Sequence, residues 1–587
     1  MSSFPRLSPK FLVLGGMAAV LLIGFGGVNA YLPGGGDNAS YIGVAESWLK
    51  YGRPLKIYDI DAAPYVLAPP LFPLLIAGVE AIIGRCVISM KGVLICSAAL
   101  AVLSAFWALK RGLEDRRSQP GDSTEPSSFT PAMIAFCFAL TPTLTACTHD
   151  ILSDVPFTVL ALVAVALTGE FIKSTRWKSL GLLILTLLLA TGFRYAGMLL
   201  VASCGGCVLL EAYVQRSSDY SNRRRLIIAG VALTVTSALL LVWILARFGE
   251  TPWSFLQGAM FSGAGKASSE TFGTSHLAGE TFLHRMGRIA SFYALYQTNE
   301  IAGFEGFAPW YLIFALTPLP VFGWVVLMRR GQRLIPVFWL IYQIGLLCFQ
   351  FAESRYYLPL LPLYLALFWT GGKTLFDWMC EMESPGKWSR PAVLTFALAL
   401  FPAVTLFGSF FSSGSLEPPV STYFDWLFGA ALALVGVVWA VQKRPDWRAR
   451  LVRVGVAFFL SAGCMRSVCE NVVRERLSGP APIGAGWSDL HAAALWLKDH
   501  AGADDTVASA KGSLVWFWSG RRSVPISQVA DREKAFADIG RADWAVLDAL
   551  EEDRLAARFL APALEADAAH WQLAWSQGDT RVFKHVR

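Results

Sequence analysis

The sequence predicts a polytopic α-helical membrane protein with a small α/β domain at its carboxyl-terminal end. Hydrophobic residues make up 55% of the 587 residues and charged residues only 16%, a balance that argues against a set of soluble domains. Apolar runs long enough to cross a bilayer recur along most of the chain, and after about residue 480 the composition becomes soluble. We therefore expect a transmembrane part over residues 1–479 and an α/β domain over residues 480–587.

The basic residues predict which loops face the cytoplasm. Arg6 and Lys10 precede the first apolar run, so the amino terminus should be cytoplasmic. The candidate spans are 11–30, 91–109, 131–148, 155–172, 179–192, 195–212, 226–246, 307–328, 334–352, 356–371, 391–411, 423–442 and 450–465. If the short run at 70–84 lies in the outer interface, nearly every basic loop falls on the cytoplasmic side. This predicts about 13 spans, an interfacial helix and a carboxyl-terminal domain outside the plasma (inner) membrane.

The net charge of +7 does not require a nucleic-acid partner, and we expect none. Cytoplasmic loops of membrane proteins collect Lys and Arg, and this bias explains the excess of positive charge. The partners that the composition does predict are the membrane lipids around the spans.

The first outer loop contains the run Gly34-Gly35-Gly36-Asp37, just beyond the first span. A helix should begin there, because Tyr41, Ala45 and Trp48 recur at helical spacing. Asp37 would then present a carboxylate at the membrane boundary, a position suited to chemistry on a lipid-linked substrate. The alternative is that Asp37 is only the N-cap of this helix.

Three further outer segments carry charged residues: His149, Asp150 and Asp154; Arg194, at the tip of a helical hairpin; and Arg355, which precedes Tyr356. Carboxylates beside arginines suit transfer from a phosphate leaving group. A carboxylate can deprotonate the incoming acceptor, and the cations can stabilise the departing phosphate. An arginine at the depth of Arg194 is costly unless it is paired, which makes it a functional candidate.

Each of these residues also has a purely structural interpretation. Asp154 could be a first-turn acid that interacts favourably with the helix dipole. His149 and Asp150 could be solvated loop residues. Arg194 could extend its side chain to the interface, and Arg355 could anchor the membrane boundary beside its tyrosines.

The order and sidedness of the motifs resemble those of the GT-C glycosyltransferases, over nearly the whole chain. The branch with the protein mannosyltransferases and the lipid A aminoarabinose transferases is the most similar. The motifs that carry the resemblance are Gly-Gly-Asp37-Asn38-Ala-Ser-Tyr41, Pro69-Pro70-Leu71-Phe72-Pro73, Ser153-Asp154, Gly192-Phe193-Arg194 and Arg355-Tyr356-Tyr357-Leu358-Pro359. Two positions depart from it: Asn38 stands where relatives often have a second acid, and Ala68 where the aminoarabinose transferases have a lysine.

This resemblance implies a GT-C-like fold and transfer of one sugar from a polyprenyl-phosphate donor, with inversion at the anomeric carbon. The acceptor, on the outer periplasmic face, could be a lipid, a polysaccharide or a protein. The resemblance implies that Asp37 is the catalytic base and that Asp154 supports the site. The remaining candidates are substrate-binding residues, with the arginines near the donor phosphate: Tyr41, His149, Asp150, Arg194, Arg355 and Tyr356. Some relatives use a divalent metal ion, and this is the one cofactor that the resemblance leaves open.

Two other classes of function compete with an enzyme. A transporter or flippase of a lipid-linked sugar or polymer often shows repeated halves with broken helices near the midplane. The sequence shows no such repeat, and its polar residues collect at the outer boundary. A membrane-anchored scaffold that acts through its outer domain would leave Arg194 without a role.

The carboxyl-terminal segment shows a soluble α/β pattern. It predicts helices at 488–499 and 532–539, strands at 506–509, 515–518 and 544–547, and a hairpin of 571–575 with 581–585. The segment contains no phosphate-binding glycine loop, metal cluster or nucleophile motif in its sequence, so we expect an accessory or acceptor-docking domain. The long third outer loop, with a helical pattern at 282–296, could be a substrate lid or a solvated connector.

Overall fold

The computed structural model describes residues 8–32, 36–66, 68–114, 128–214, 220–247, 282–302, 316–348, 353–381, 485–526, 532–550 and 556–586. Helices predominate up to residue 381, and a five-stranded sheet lies between residues 506 and 585. The predicted spans at 391–411, 423–442 and 450–465 and the predicted domain boundary at 479/480 lie outside the described residues, as does the first part, 307–315, of the span predicted at 307–328.

The helices before residue 381 follow the apolar runs of the sequence. They are α1 (Pro9–Gly27), α2 (Asp37–Tyr51), α3 (Leu71–Ile83), α4 (Val87–Leu113), α5 (Phe129–Ala139), α6 (Pro142–His149), α7 (Asp154–Ser174), α8 (Trp177–Phe193), α9 (Gly197–Val214), α10 (Tyr220–Arg247), α11 (Phe282–Ala302), α12 (Pro318–Arg329), α13 (Leu334–Leu347), α14 (Ser354–Tyr357) and α15 (Leu361–Glu381). Among the described residues, 5 helices are long and apolar enough to cross a membrane, or 6 if α5 and α6 form one bent span. The protein is thus a mostly helical, multi-pass membrane protein, and the total of about 13 spans stays a prediction.

Helices α1 and α4 run antiparallel. Gly16 lies beside Val102, and Gly24, nearer the end of α1, lies beside Ile95, nearer the start of α4. The chain between them, which contains α2 and α3, therefore starts and ends at the same end of the helical bundle. This arrangement agrees with α3 as an interfacial helix rather than a span.

Charged residues meet at the opposite end of the bundle. The ion pairs there join the ends of α4, α7 and α9 and the start of α13: Arg111–Glu170 (2.7 Å), Lys173–Glu114 and Arg333–Glu211 (3.8 Å). Of the basic residues that the structure describes, Arg111, Lys173 and Arg333 are thus gathered at one end, in agreement with the predicted threading.

The predicted span at 131–148 is not straight, because α5 and α6 are bent by 50° relative to each other. Pro142 is the first residue of α6, and it has no N–H to continue the hydrogen bonds of α5. The backbone N–H of Thr143 (3.4 Å) and its hydroxyl (2.7 Å) instead donate to the carboxylate of Glu300 on α11. The bend allows α6 to end at His149, next to the loop that precedes α7.

The carboxyl-terminal segment folds around a mixed sheet. Its main elements are α16 (Ala485–His500), β1 (Thr506–Ser509), α17 (Gly512–Ser519), β2 (Arg522–Val524), α18 (Arg532–Ile539), β3 (Trp544–Leu547), α19 (Ala561–Ala566), β4 (Trp571–Gln577) and β5 (Thr580–His585). The strand order is β2-β1-β3-β5-β4, with β1 parallel to β2 and β3, and with β5 antiparallel to β3 and β4.

The strand predicted at 515–518 was wrong, because these residues lie in α17. A short apolar run fits a buried helix as well as a buried strand. The sequence analysis also missed β2, whereas the hairpin of β4 and β5 was predicted.

The sheet unit packs directly on the first outer loop. One hydrophobic cluster contains buried residues from both: Leu32, Ile42, Phe72, Trp487, Leu490 and Leu514 among them. The backbone N–H of Ser523 in β2 donates to Tyr58 O (2.6 Å), and the N–H of Ile60 donates to Ser523 O (2.9 Å). The outer loop therefore continues the sheet beyond β2.

Candidate active site

Asp37 is the first residue of α2. Gly36 occupies the N-cap position with a φ of 84°, a conformation that glycine adopts without steric cost. Asp37 is thus not the N-cap, and the structure does not support the capping interpretation of this acid. Its side chain is 58% exposed, so the carboxylate is accessible from solvent.

Arg355, on the short helix α14, contacts two acids. Its Nη2 donates to Asp37 Oδ2 at 3.3 Å, and its Nε lies 3.3 Å from Glu353 Oε2. Burial raises the pKa of Glu353, and the Arg355 guanidinium partly opposes this shift. The sequence analysis did not single out Glu353, although an acid two residues before a candidate arginine was a usable signal.

Arg194, at the end of α8, is paired with Asp154, the first residue of α7. Its Nη1 donates to Asp154 Oδ1. The Asp154 side chain is only 3% exposed and that of Arg194 18% exposed. Arg194 is therefore not an unpaired charge that extends to the interface, because the buried carboxylate of Asp154 balances its charge.

The ring of Tyr356 links the two arginines. The Cζ atom of Arg194 lies 4.9 Å from the ring centroid, and that of Arg355 lies 5.5 Å from it. The negative face of an aromatic ring attracts cations at such distances. Two guanidinium groups are thus held close together at the end of the bundle where Asp37 is exposed.

Tyr41 lies beside this group on α2. Its ring packs edge-on against Phe72 with the centroids 4.9 Å apart, and its hydroxyl shares a hydrogen bond with Ser153. Burial is the main cause that raises the pKa of Tyr41 to about 12. The Ser153 side chain, although at the N-cap position of α7, makes no capping hydrogen bond.

Asp150 and His149 are not solvated loop residues. Burial raises the pKa of Asp150 to about 6, against the influence of Arg355, and Asn38 forms a hydrogen bond with its carboxylate. His149 is 5% exposed at the end of α6, near Lys91. The buried Lys91 ammonium donates to Asn29 Oδ1 (2.9 Å) and Tyr31 O (2.7 Å), so it fixes the segment that leads to α2. The sequence analysis did not identify Lys91.

The candidate residues thus form one group around the two arginines, and Tyr41, Asp150 and His149 lie at its edges. The acids do not form a metal cluster: over the described ranges, no group of three or more His, Cys, Asp or Glu side chains is arranged to hold an ion. Asp37 and Asp154 are each paired with an arginine instead.

Two proteins of known structure share this architecture. ArnT from Cupriavidus metallidurans, in a crystal structure bound to undecaprenyl phosphate, aligns over 97% of this chain and 97% of its own with a TM-score of 0.56 and 15% identity. The archaeal oligosaccharyltransferase AglB from Archaeoglobus fulgidus, in complex with an inhibitory peptide and a dolichol-phosphate, aligns over 92% of this chain and 69% of its own with a TM-score of 0.51 and 10% identity.

The chain has the GT-C fold. This confirms the fold that the motif resemblance implied. The apo crystal structure of ArnT from Cupriavidus metallidurans aligns over 98% of both chains, with a TM-score of 0.56 and 14% identity. No protein-family model and no curated protein sequence matches the chain. The GT-C fold is therefore shown by three-dimensional similarity alone.

Proposed function

We propose that the protein is a membrane glycosyltransferase that moves a sugar from a polyprenyl-phosphate donor to an acceptor at the outer face of the inner membrane. The observation that carries this proposal is the exposed carboxylate of Asp37 beside two arginines that share the ring of Tyr356. The GT-C fold supports it, as do the lipid phosphates bound to ArnT and to AglB.

The arginines would bind the donor phosphate. Their positive charges lie at one end of a bundle of apolar helices, where the phosphate of a polyprenyl lipid meets water while its chain stays in the membrane. As the bond to the sugar breaks, negative charge grows on the phosphate, and fixed guanidinium groups stabilise that charge. Asp154 would act as a positioning residue, because its buried carboxylate holds Arg194 in place.

Asp37 would act as the general base. The acceptor hydroxyl or amine gives its proton to the carboxylate while its oxygen or nitrogen atom attacks the anomeric carbon. The bond from that carbon to the phosphate oxygen breaks, and its electron pair leaves with the polyprenyl phosphate. Attack opposite the leaving group gives inversion. The contact with Arg355 keeps the Asp37 carboxylate oriented beside the phosphate that departs.

The remaining candidates would shape the site. Tyr41 and Tyr356 would contact the donor sugar through their rings, and Asp150 would bind substrate or hold the start of α2 through Asn38. His149 would keep the second outer loop in place from its buried position. In this proposal, residues 1–479 form the catalytic membrane domain and residues 480–587 an outer domain.

The charge distribution supports an orientation of the protein in the membrane. The end of the bundle with Arg111, Lys173 and Arg333 would face the cytoplasm together with the amino terminus, by the positive-inside rule. The candidate site, at the opposite end, would then face the periplasm. No observation on the described residues favours a transporter, which would have no use for an exposed base beside the donor phosphate.

The proposal is tested with purified protein in detergent. Polyprenyl-phosphate sugars are added with candidate lipid, polysaccharide and protein acceptors, and release of polyprenyl phosphate is measured together with transfer of the sugar. The lipid-linked sugar that accumulates in cells lacking the protein identifies the donor to use. Movement of that lipid across a vesicle membrane without cleavage of its sugar–phosphate bond would overturn the proposal in favour of a flippase.

A further inference from the structure

The peptide bond that precedes Asp37 is held by the carboxyl-terminal sheet unit. The hydroxyl of Ser513, on α17, donates to Gly36 O at 3.0 Å, in a contact that is buried and joins residues 477 positions apart. The same carbonyl oxygen accepts the backbone N–H (3.1 Å) and the hydroxyl (3.1 Å) of Ser40. One donor to this oxygen thus comes from the outer unit and the others from α2 itself.

We propose that Ser513 is a positioning residue for the catalytic base Asp37, so that the outer sheet unit is a working part of the active site. This inference rests on the proposed function. It goes beyond the expectation of an accessory or acceptor-docking domain.

The geometry gives the physical reason. The carbonyl of Gly36 and the N–H of Asp37 belong to one planar peptide unit. A contact that fixes the direction of this carbonyl therefore also fixes the orientation of the backbone that carries the Asp37 side chain. Gly36 is in the left-handed region, with a φ of 84°, where the backbone of glycine has little intrinsic preference. The Ser513 hydroxyl therefore adds a restraint from outside α2 to the two that Ser40 supplies from within it.

The donor is itself rigidly placed against α2. Gly43 leaves room for two rings against α2, because an added Cβ atom there would lie 2.9 Å from the ring of Tyr58 and 3.3 Å from the ring of Trp516 in α17. The guanidinium of Arg85 lies over the rings of Trp516 (5.1 Å) and Phe517 (4.5 Å), and it pairs with Glu46 of α2 at 3.0 Å. These contacts hold α17 in register with the helix that begins at Asp37.

The test compares Ser513→Ala with Ser519→Ala in the purified protein. Ser519 lies on the same helix and is also buried, but its hydroxyl donates to Val515 O (2.6 Å) within the helix. A mutation far from the chemistry that misplaces a reacting group by about 1 Å can lower the rate on the order of 100-fold. We expect Ser513→Ala to lower kcat at least tenfold with little change in KM for the donor, and Ser513→Thr, which keeps the hydroxyl, to recover much of it. Ser519→Ala should keep the wild-type kcat.

A double-mutant cycle separates positioning from a loss of stability. If Ser513 acts through Asp37, Ser513→Ala should lower the turnover of Asp37→Asn by less than twofold, whereas a general structural defect would reduce both backgrounds equally. An equal reduction in both backgrounds, or a wild-type kcat for Ser513→Ala, would overturn the inference. The proposed function would still stand in that case, provided that the wild-type protein transfers the sugar. Absence of transfer by the wild type would overturn both.

Discussion

Arg194 and Asp154 form an ion pair that joins the end of α8 to the start of α7. Both residues are largely buried, so each depends on the other for compensation of its charge. Removal of one partner of such a pair leaves an uncompensated charge and costs about 3–5 kcal/mol. The pair therefore has a structural role as well as the catalytic one proposed for Arg194.

This dual role predicts a specific pattern among neutral variants. Asp154→Asn and Arg194→Gln should each lower the stability of the purified protein by about 3–5 kcal/mol. The double variant should regain much of that stability, because neither side chain is then a lone charge, yet it should not regain sugar transfer.

Thermal unfolding in detergent and transfer assays on the three proteins measure the two properties separately. Recovery of transfer in the double variant would mean that Arg194 contributes only structure. The exposed pair of Asp61 and Arg541, 2.6 Å apart, is the matched control, since neutralising an exposed pair should change stability far less than breaking a buried one.

The raised pKa of Asp150 predicts a pH-dependent stability. Its ordinary pKa is 3.8 and burial raises it to about 6 in the folded protein, so the folded state binds this proton more tightly than the unfolded chain. The resulting stabilisation is complete below about pH 4 and is lost as the pH rises through about 6.

Asp150→Asn removes this titration. The stability of the variant relative to the wild type should therefore rise between pH 4 and pH 7, by on the order of 1–3 kcal/mol. Unfolding temperatures measured across this range test the prediction, with Asp579→Asn on the exposed hairpin as a control. A difference between variant and wild type that does not change with pH would contradict it.

The sequence was sufficient to predict the local features of the fold. The span predicted at 155–172 is α7, Asp154–Ser174, and the one predicted at 195–212 is α9, Gly197–Val214. Both are bounded by charged or polar residues, so hydropathy along the chain fixes their limits to within two residues. The bend between α5 and α6 was not predicted, although Pro142 was a local signal for it.

The contacts of the site could not be predicted in the same way. Arg355 and Asp37 are separated by 318 positions, and only the packed fold brings them together. The positive-inside rule predicted that Arg355 and Asp37 lie at the outer face. The sequence could not indicate which acid is the partner of Arg355. Ser513 carried no signal at all, because its role depends on the docking of α17 against α2.

The proposed orientation can be tested by labelling of introduced cysteines in intact cells. In a background without the native cysteines, Arg53→Cys and Ser576→Cys should react with a membrane-impermeant thiol reagent. Lys178→Cys and Ser221→Cys should react only after the membrane is permeabilised. All four positions are exposed in the structure, so accessibility reports sidedness. Labelling of Ser221→Cys in intact cells would contradict the proposed orientation.

The most direct test of the account is the turnover of Asp37→Asn. The substitution keeps the size of the side chain and, since Asp37 is exposed and is not the N-cap, it should leave stability and donor binding unchanged. Loss of a positioned general base typically lowers the rate by about 10²–10⁴-fold. The matched control is Asp61→Asn, an exposed, arginine-paired acid of the same outer loop, which should retain wild-type turnover. We predict that purified Asp37→Asn binds the polyprenyl-phosphate sugar but transfers it at least about 100-fold more slowly than Asp61→Asn; equal turnover of the two variants would contradict the role of Asp37 as the general base.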